Sequence, residues 1–206
     1  MTFCVSPRRW AASAVLATTA LGPTSALAQQ LDWCASFLRP ALLQAAASVQ
    51  DKTKLKSFGA TFRISEQFSP EPVAGCAFMP NFRGQLSGTG ASSRLGPMGL
   101  ASENCAGAVN GTPAFLGSDV RLTAATGEVL HAKYCGLSVP RAPGSTENTL
   151  SGLFVVVAVT PPGQAQPAPA LGYGTLSGFE TLSYAPGWPI PYQGHGTIVL
   201  DGVLGY

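Results

Sequence analysis

The chain has 206 residues, of which 46% are hydrophobic and only 11% are charged. Charge this sparse, with a formal net value of +2, argues against nucleic acid or an anionic membrane surface as a partner. A chain of this length buries about 70% of its unfolded surface, so one hydrophobic core is sufficient and we expect one folded domain.

Residues 1–28 have the pattern of a secretory signal peptide. Arg8 and Arg9 precede an apolar run at residues 10–21, and Ala26-Leu27-Ala28 supplies a cleavage site of small residues. The apolar run is shorter than the ~20 residues that a spanning helix needs. Cleavage leaves residues 29–206 with ten basic and ten acidic side chains. We therefore expect a neutral protein that is secreted or periplasmic and has no membrane span.

Four cysteines remain after cleavage: Cys34, Cys76, Cys105 and Cys135. An even number in an exported chain indicates two disulfides, with three possible connectivities. We favour Cys105 with Cys135, which lie on strands predicted to be neighbours, and Cys34 with Cys76, which would tie the N-terminal segment to the β region. A zinc site is disfavoured because no CxxC or HxxxH spacing occurs. We expect neither a metal nor an organic cofactor, since no nucleotide fingerprint is present.

Residues 29–56 are predicted to form one amphipathic helix and a charged exit segment. Apolar residues recur at helical spacing between Leu31 and Val49. Pro40 interrupts this run, so either the helix bends there or a main helix begins at Pro40. Tethered by Cys34, the helix would lie across the β structure as a lid or plug. The alternative is an extension next to the signal peptide with no function of its own.

Residues 57–206 are predicted to form a β domain, because glycine and proline become frequent and short alternating runs recur. The pattern favours a sandwich or barrel over βαβ units. Residues 153–159, LFVVVAV, are apolar at both alternations, so a strand there must be covered on both faces, and the N-terminal helix is the candidate cover. The eight predicted strands are Ser57–Ser65, Phe82–Ser92, Arg94–Ser102, Asp119–Ala124, Glu128–Val139, Thr149–Thr160, Leu171–Leu182 and Gly194–Val203.

The segment Val120–Val139 is predicted to be a β-hairpin with a turn at Gly127. Alternation places Val120, Leu122, Leu130, Ala132 and Tyr134 on one face, and Arg121, Thr123, His131, Lys133 and Cys135 on the other. If the second face pointed into a barrel, His131 and Lys133 would make a polar patch suited to holding a carboxylate or transferring a proton. We favour an outward direction, because the first face is apolar and fills an interior naturally.

Three segments carry a resemblance to a known group of proteins. They are Gly88-Thr-Gly90 before a strand, Leu122–Leu130 leading to Tyr134-Cys-Gly136, and His195–Gly202 near the end. Together they resemble small secreted bacterial β-barrel proteins, calycin-like and similar to the allene oxide cyclase and dirigent barrels. The resemblance covers residues 57–206. It implies a mainly β fold, a single antiparallel up-and-down β-barrel of about eight strands, with a central cavity that can hold an apolar molecule.

Chemical motifs are sparse. No Gly-x-Ser-x-Gly elbow supports a hydrolase triad, and the acids Asp119, Glu128, Glu180 and Asp201 are too dispersed to indicate a glycosidase pair. Aromatic residues bracket a proline-rich loop near the C-terminus, where they would grip an apolar ligand or a sugar at a barrel mouth, or pack the loop onto the rim. These residues are Tyr184, Trp188 and Tyr192.

The function we expect is that of an exported, non-enzymatic β-barrel that binds a small apolar or amphipathic ligand, or a partner, at its mouth. The first alternative is an isomerase or cyclase of the allene oxide cyclase type, using His131, Lys133 or Glu180 in an apolar pocket. The second is a structural envelope or surface protein, for which an exposed edge strand would be the sign. The direction of His131 and Lys133 distinguishes the first two hypotheses.

Overall fold

The computed structural model describes residues 32–49, 54–187 and 189–206. The predicted signal peptide and Trp188 lie outside these ranges. One helix, α1 (Asp32–Ser48), precedes eight strands. The strands are β1 (Lys56–Ser69), β2 (Phe82–Ser92), β3 (Gly96–Val109), β4 (Thr112–Ala124), β5 (Val129–Pro140), β6 (Glu147–Thr160), β7 (Ala168–Tyr184) and β8 (Pro191–Gly205). Within these ranges, no helix is long and apolar enough to cross a lipid bilayer.

The strands join in sequence order into a closed antiparallel barrel, with β8 paired back onto β1. This confirms the predicted mainly β fold with about eight strands and a single helix. Most strands are longer than predicted, and β4 begins at Thr112 rather than Asp119. Its pairing with β5 shifts register between Gly117 and Val120, so a bulge interrupts the alternation on which the prediction depended.

The two ends of the barrel differ. The connections at residues 70–81, 110–111, 141–146 and 185–190 meet at one end, which we call the mouth. Towards the opposite end the interior is filled by apolar side chains, including Phe58, Leu122, Leu130, Val159 and Leu204. All five are essentially inaccessible to solvent. Among the described residues, it is therefore the mouth end of the barrel that leaves space for a molecule.

The hairpin of β4 and β5 has the predicted faces. Leu130, Ala132 and Tyr134 belong to the interior core, whereas Cys135 lies in a second, outer cluster. Gly127 closes the turn with a φ of 90°, in the left-handed region that favours glycine. The register was therefore predictable from the apolar alternation alone.

Helix α1 packs against the outside of β5, β6 and β7. It runs through Pro40 as one helix, so a separate helix beginning at Pro40 is wrong. On β6, Phe154 and Val156 point into the barrel, whereas Val155 is buried beneath the outer cluster that includes Leu38. The helix thus covers a strand that is apolar on both faces, as predicted. The lid or plug interpretation is wrong, because the apolar face of α1 packs against the outer surface of β5, β6 and β7 and does not cover an end of the barrel.

The two disulfides join Cys34 to Cys135 and Cys76 to Cys105. The predicted pairing of Cys105 with Cys135 and of Cys34 with Cys76 is wrong. Cys105 and Cys135 both stand opposite Leu116 of β4, which separates them by two strand spacings of about 4.8 Å each. That distance exceeds the limit of about 7 Å between the Cα atoms of a disulfide. Each strand cysteine bonds instead to a segment that lies on the outer surface.

Removing the Cys34–Cys135 bond by Cys34→Ala with Cys135→Ala should lower the free energy of unfolding by about 4–5 kcal/mol, because this bond spans 101 residues of the unfolded chain. The matched comparison is Cys76→Ala with Cys105→Ala, whose bond spans 29 residues and should contribute about 1 kcal/mol less. Urea unfolding followed by circular dichroism measures both. Equal losses, or a larger loss for the shorter loop, would contradict this expectation.

Candidate functional site

A layer of buried polar side chains crosses the barrel interior just below the mouth. The strands place them there by alternation, since each stands where an apolar residue would otherwise face inward. The layer consists of Glu66, Ser102, Asn104, Tyr134, Ser138, Asn148 and Glu180, and each of these residues is no more than 8% exposed. Buried polar groups are costly unless they are hydrogen-bonded, so their arrangement requires an explanation.

Part of this layer is a hydrogen-bonded chain centred on Asn104. The Tyr134 hydroxyl donates to Asn104 Oδ1 at 2.6 Å, and Ser102 Oγ donates to the same oxygen at 2.9 Å. Asn104 Nδ2 then donates to Glu66 Oε1 at 2.7 Å. In this orientation the amide oxygen of Asn104 accepts from both hydroxyls and its nitrogen donates to the Glu66 carboxyl.

Glycine makes this chain of hydrogen bonds possible. Gly117 on β4 stands opposite Asn104 on one side and Tyr134 on the other. The tyrosine ring crosses the space that a side chain at residue 117 would occupy, because a Cβ there would lie 2.8 Å from Tyr134 Cζ. A hydrogen bond can therefore join β5 to β3 across the intervening strand.

The two glutamates also lie over glycines. A Cβ at Gly84 of β2 would overlap Glu66 Oε1, and a Cβ at Gly194 of β8 would overlap Glu180 Oε1. Strand β8 separates β1 from β7, and Gly194 stands directly opposite Glu66. Because residue 194 carries no side chain, the Glu66 and Glu180 carboxyls approach each other across β8, where their charges interact.

Burial is the main cause of the raised pKa values of Glu66 and Glu180. The pKa of Glu66 is raised from 4.5 to about 8: removal from water is the largest cause, the neighbouring Glu180 charge adds to it, and the Asn104 hydrogen bond opposes it. The pKa of Glu180 is raised from 4.5 to about 7, because burial raises it by more than hydrogen bonding to Glu66 lowers it. The pair therefore holds at least one proton near neutral pH. Burial also raises the pKa of Tyr134, so its hydroxyl stays a donor.

A cavity of about 220 Å³ lies between this layer and the mouth. Its base is polar and includes Glu66, Ser138, Asn148 and Glu180. Its wall is apolar and is formed mainly by Phe68, Phe82, Phe115, Leu182, Tyr184 and several prolines. Among the described residues, Glu180 Oε1, Asn148 Oδ1 and Ser138 Oγ have no hydrogen-bond partner. The cavity thus joins unsatisfied polar atoms to an apolar wall, which is typical of a site for a small amphipathic molecule.

The described residues that were predicted from sequence as site residues lie in three different places. His131 and Lys133 lie on the outer face, where His131 Nε2 is 2.8 Å from Thr160 Oγ1 and Lys133 borders a groove between α1 and the wall. Glu180 lies at the base of the cavity and Tyr184 at its mouth. Tyr192 borders a separate cavity of about 50 Å³ at the rim. The structure therefore brings together Glu180 and Tyr184 but neither of the basic candidates.

Sequence reasoning missed Glu66, Asn104, Tyr134, Ser138 and Asn148 as site residues. A signal was present in β1, where Glu66 occupies an inward position of the alternation that carries Phe62 and Ile64. A polar residue at an otherwise apolar position is a candidate for an internal site. Across the described ranges, no three His, Cys, Asp or Glu side chains converge to form a metal site.

Gly117→Ala should lower the free energy of unfolding by about 1–3 kcal/mol, because the added methyl group collides with the Tyr134 ring and displaces its hydroxyl from Asn104. The matched control is Gly99→Ala on β3, where a Cβ would meet nothing nearer than 3.9 Å. That change should stay within about 0.5 kcal/mol of the unchanged protein. Urea unfolding compares the two variants, and equal effects would show that space over β4 is not needed.

Stability should fall as pH rises from about 4.5 to about 8. In this window the unfolded carboxyls lose their protons while Glu66 and Glu180 retain theirs when folded, so the folded state binds more protons. The slope is at most about 1.4 kcal/mol per pH unit for each proton. Glu180→Gln should flatten the decline, whereas Glu147→Gln, at an exposed site, should leave it unchanged. Urea midpoints measured across this range test the expectation, which a flat profile for the unchanged protein would contradict.

Comparison with known proteins gives no functional role to any residue of this chain. No protein-family model, curated protein or solved structure matches this chain. The resemblance to the allene oxide cyclase and dirigent barrels thus stays a prediction, and the function has to be argued from the geometry of the cavity and the residues that form it.

Proposed function

We propose that this protein is an exported barrel that binds a small amphipathic ligand at its mouth. The single observation that carries the proposal is the cavity of about 220 Å³, whose base holds buried, unsatisfied polar atoms and whose wall is apolar. A ligand with a polar group at one end and an apolar body would satisfy both parts at once. The two disulfides support export, because such bonds persist in oxidising compartments.

The position of the cavity limits the size of the ligand. Below the polar layer, Leu122, Phe154 and Leu176 are among the side chains that fill the barrel, so the ligand cannot pass deeper. Above it, Phe68 and Phe82 pack edge to face with their ring centroids 5.7 Å apart and form a firm side of the wall. The polar group therefore lies at the base and the apolar body points toward the mouth.

The isomerase or cyclase hypothesis remains a second candidate because of one observation. Glu180, a predicted catalytic residue, lies in the cavity with a partner carboxyl and a pKa raised toward neutrality, which suits a proton donor or acceptor. His131 and Lys133 face outward and cannot contribute. The structural envelope hypothesis has less support, because every strand of the closed barrel is paired on both sides.

Leu182→Trp should weaken ligand binding at least tenfold, because Leu182 borders the cavity at the mouth and the larger ring would fill it. The matched control is Leu43→Trp, at a residue that is 63% exposed on α1 and away from the cavity. A practical probe is 2-phenylethanol, with binding followed by saturation-transfer NMR and titration. Equal binding by both variants would remove the cavity as the site.

The same samples distinguish binding from catalysis. A probe recovered chemically unchanged after long incubation supports a binding protein. Protein-dependent conversion of a reactive unsaturated epoxide into a single enantiomer, lost in Glu180→Gln, would favour the isomerase or cyclase instead.

A further inference from the structure

We infer that the ligand carries a protonated amine, and that its ammonium group lies at the base of the cavity against Glu180, Asn148 and Ser138. This inference rests on the proposed function and specifies its ligand class. Three side chains at the base of the cavity carry polar atoms that are buried and unsatisfied. Glu180, Asn148 and Ser138 are 5%, 3% and 8% exposed. Within the described ranges, Glu180 Oε1, Asn148 Oδ1 and Ser138 Oγ have no hydrogen-bond partner.

The three residues lie on neighbouring strands, β5 to β7, on one side of the barrel. Asn148 of β6 stands directly opposite Glu180 of β7, which places their Cβ atoms about 5 Å apart. Ser138 of β5 is two residues before Pro140, the residue opposite Asn148, so it is the diagonal neighbour on the same face. The carboxylate and amide oxygens are acceptors, and a serine hydroxyl accepts as well. An ammonium group offers three donors and no acceptor, which matches this set.

The charge of the cavity gives a second, independent reason. Titratable groups reach it from only three strands: Glu66 from β1, Glu180 and the mouth residue Tyr184 from β7, and Tyr134 of β5 within the layer beneath. The other strands and loops that border it contribute phenylalanine, alanine, glycine, proline, serine and asparagine. No Lys, Arg or His lines the described cavity, so nothing there would neutralise an anionic ligand. A cation is favoured and a carboxylate is repelled.

The glutamate pair makes the binding of a cation depend on pH. When both carboxyls are protonated the pair is neutral, and an ammonium group binds well only after one proton leaves to solvent. The balance is one cation bound and one proton released, with the ammonium keeping its own protons. As pH rises through the pKa of Glu180, the proton is already absent and binding no longer has to displace it.

The apolar wall accounts for the rest of such a ligand. Phe115 packs edge to face on Tyr134, with ring centroids 5.8 Å apart, and borders the cavity above the polar layer. Aromatic rings near a bound ammonium attract it through their negative faces. The ligand class is therefore a small arylalkyl or alkyl amine with one cationic end.

Three probes that share a phenylethyl group test the inference: 2-phenylethylamine, 2-phenylethanol and 3-phenylpropionate. Isothermal titration at pH 7.5 should show the amine binding at least tenfold more tightly than the alcohol, and no binding of the carboxylate. Between pH 5.5 and 7.5 the amine should gain at least tenfold in affinity and the alcohol less than twofold. Repeating the amine titration in buffers of different ionisation enthalpy should show proton release at the lower pH.

Two variants and one control locate the effect. Glu180→Gln, which keeps the shape of the side chain, should remove the preference for the amine and its pH dependence while alcohol binding persists. Ser138→Ala should weaken amine binding about threefold to tenfold. Glu147→Gln, whose carboxylate is exposed and paired with Arg141, should behave like the unchanged protein.

The outcomes separate the two proposals. If the alcohol and the amine bind equally at every pH, or the carboxylate binds best, the amine inference is overturned and mouth binding stands. If none of the three probes binds the unchanged protein, the proposed function fails and this inference fails with it. Loss of all binding in Glu180→Gln with an unchanged circular dichroism spectrum would also overturn the charge argument, since a neutral probe should be retained.

Discussion

A closed eight-stranded barrel has a fixed interior, just wide enough for its inward side chains to fill it. Large polar groups fit there only where neighbouring positions carry no side chain. Below the mouth, the odd strands supply Glu66, Asn104, Tyr134 and Glu180. Three of the even strands, β2, β4 and β8, supply the glycines that leave space for them, whereas β6 contributes Asn148 to the layer. The hydrogen-bonded chain, the close approach of the two carboxyls and the cavity above them all depend on this division.

The covalent framework supports the same layer from outside. Cys105 directly follows Asn104, and Cys135 directly follows Tyr134. Because strand residues alternate, each disulfide leaves the outer wall at a position adjacent to a side chain that enters the polar layer. Cys76 thereby ties the loop after β1 to the Asn104 strand, and Cys34 ties α1 to the Tyr134 strand. Asn104 and Tyr134, which are hydrogen-bonded to each other, are thus each followed by a cysteine in a disulfide bond.

Much of the fold was accessible from sequence because it follows local alternation. The strand count, the hairpin faces and the doubly covered β6 each follow from which residues are apolar at period two. The disulfide pairing was not predictable from sequence, because it depends on the order of the strands in the sheet. Strand β4 lies between the strands of Cys105 and Cys135 and keeps these two cysteines apart. The site was only partly accessible for the same reason: Glu66 and Glu180 are 114 positions apart and meet only because β8 closes against β1. Glu180 was identified as a candidate, but its partner and the glycines between them were not.

The positions of the disulfides along the chain have a consequence for the order in which the barrel folds. Both bonds lie within residues 34–135, so neither of them requires the last three strands, β6 to β8, to have folded. One edge of β1 pairs with β8, the last strand in the described chain, and it presents unpaired backbone groups until β8 is in place. An early cross-linked half would hold those groups in place while the remaining strands arrive. The most vulnerable intermediate is therefore an oxidised, open sheet, which stays exposed to pairing with other chains until β8 closes against β1.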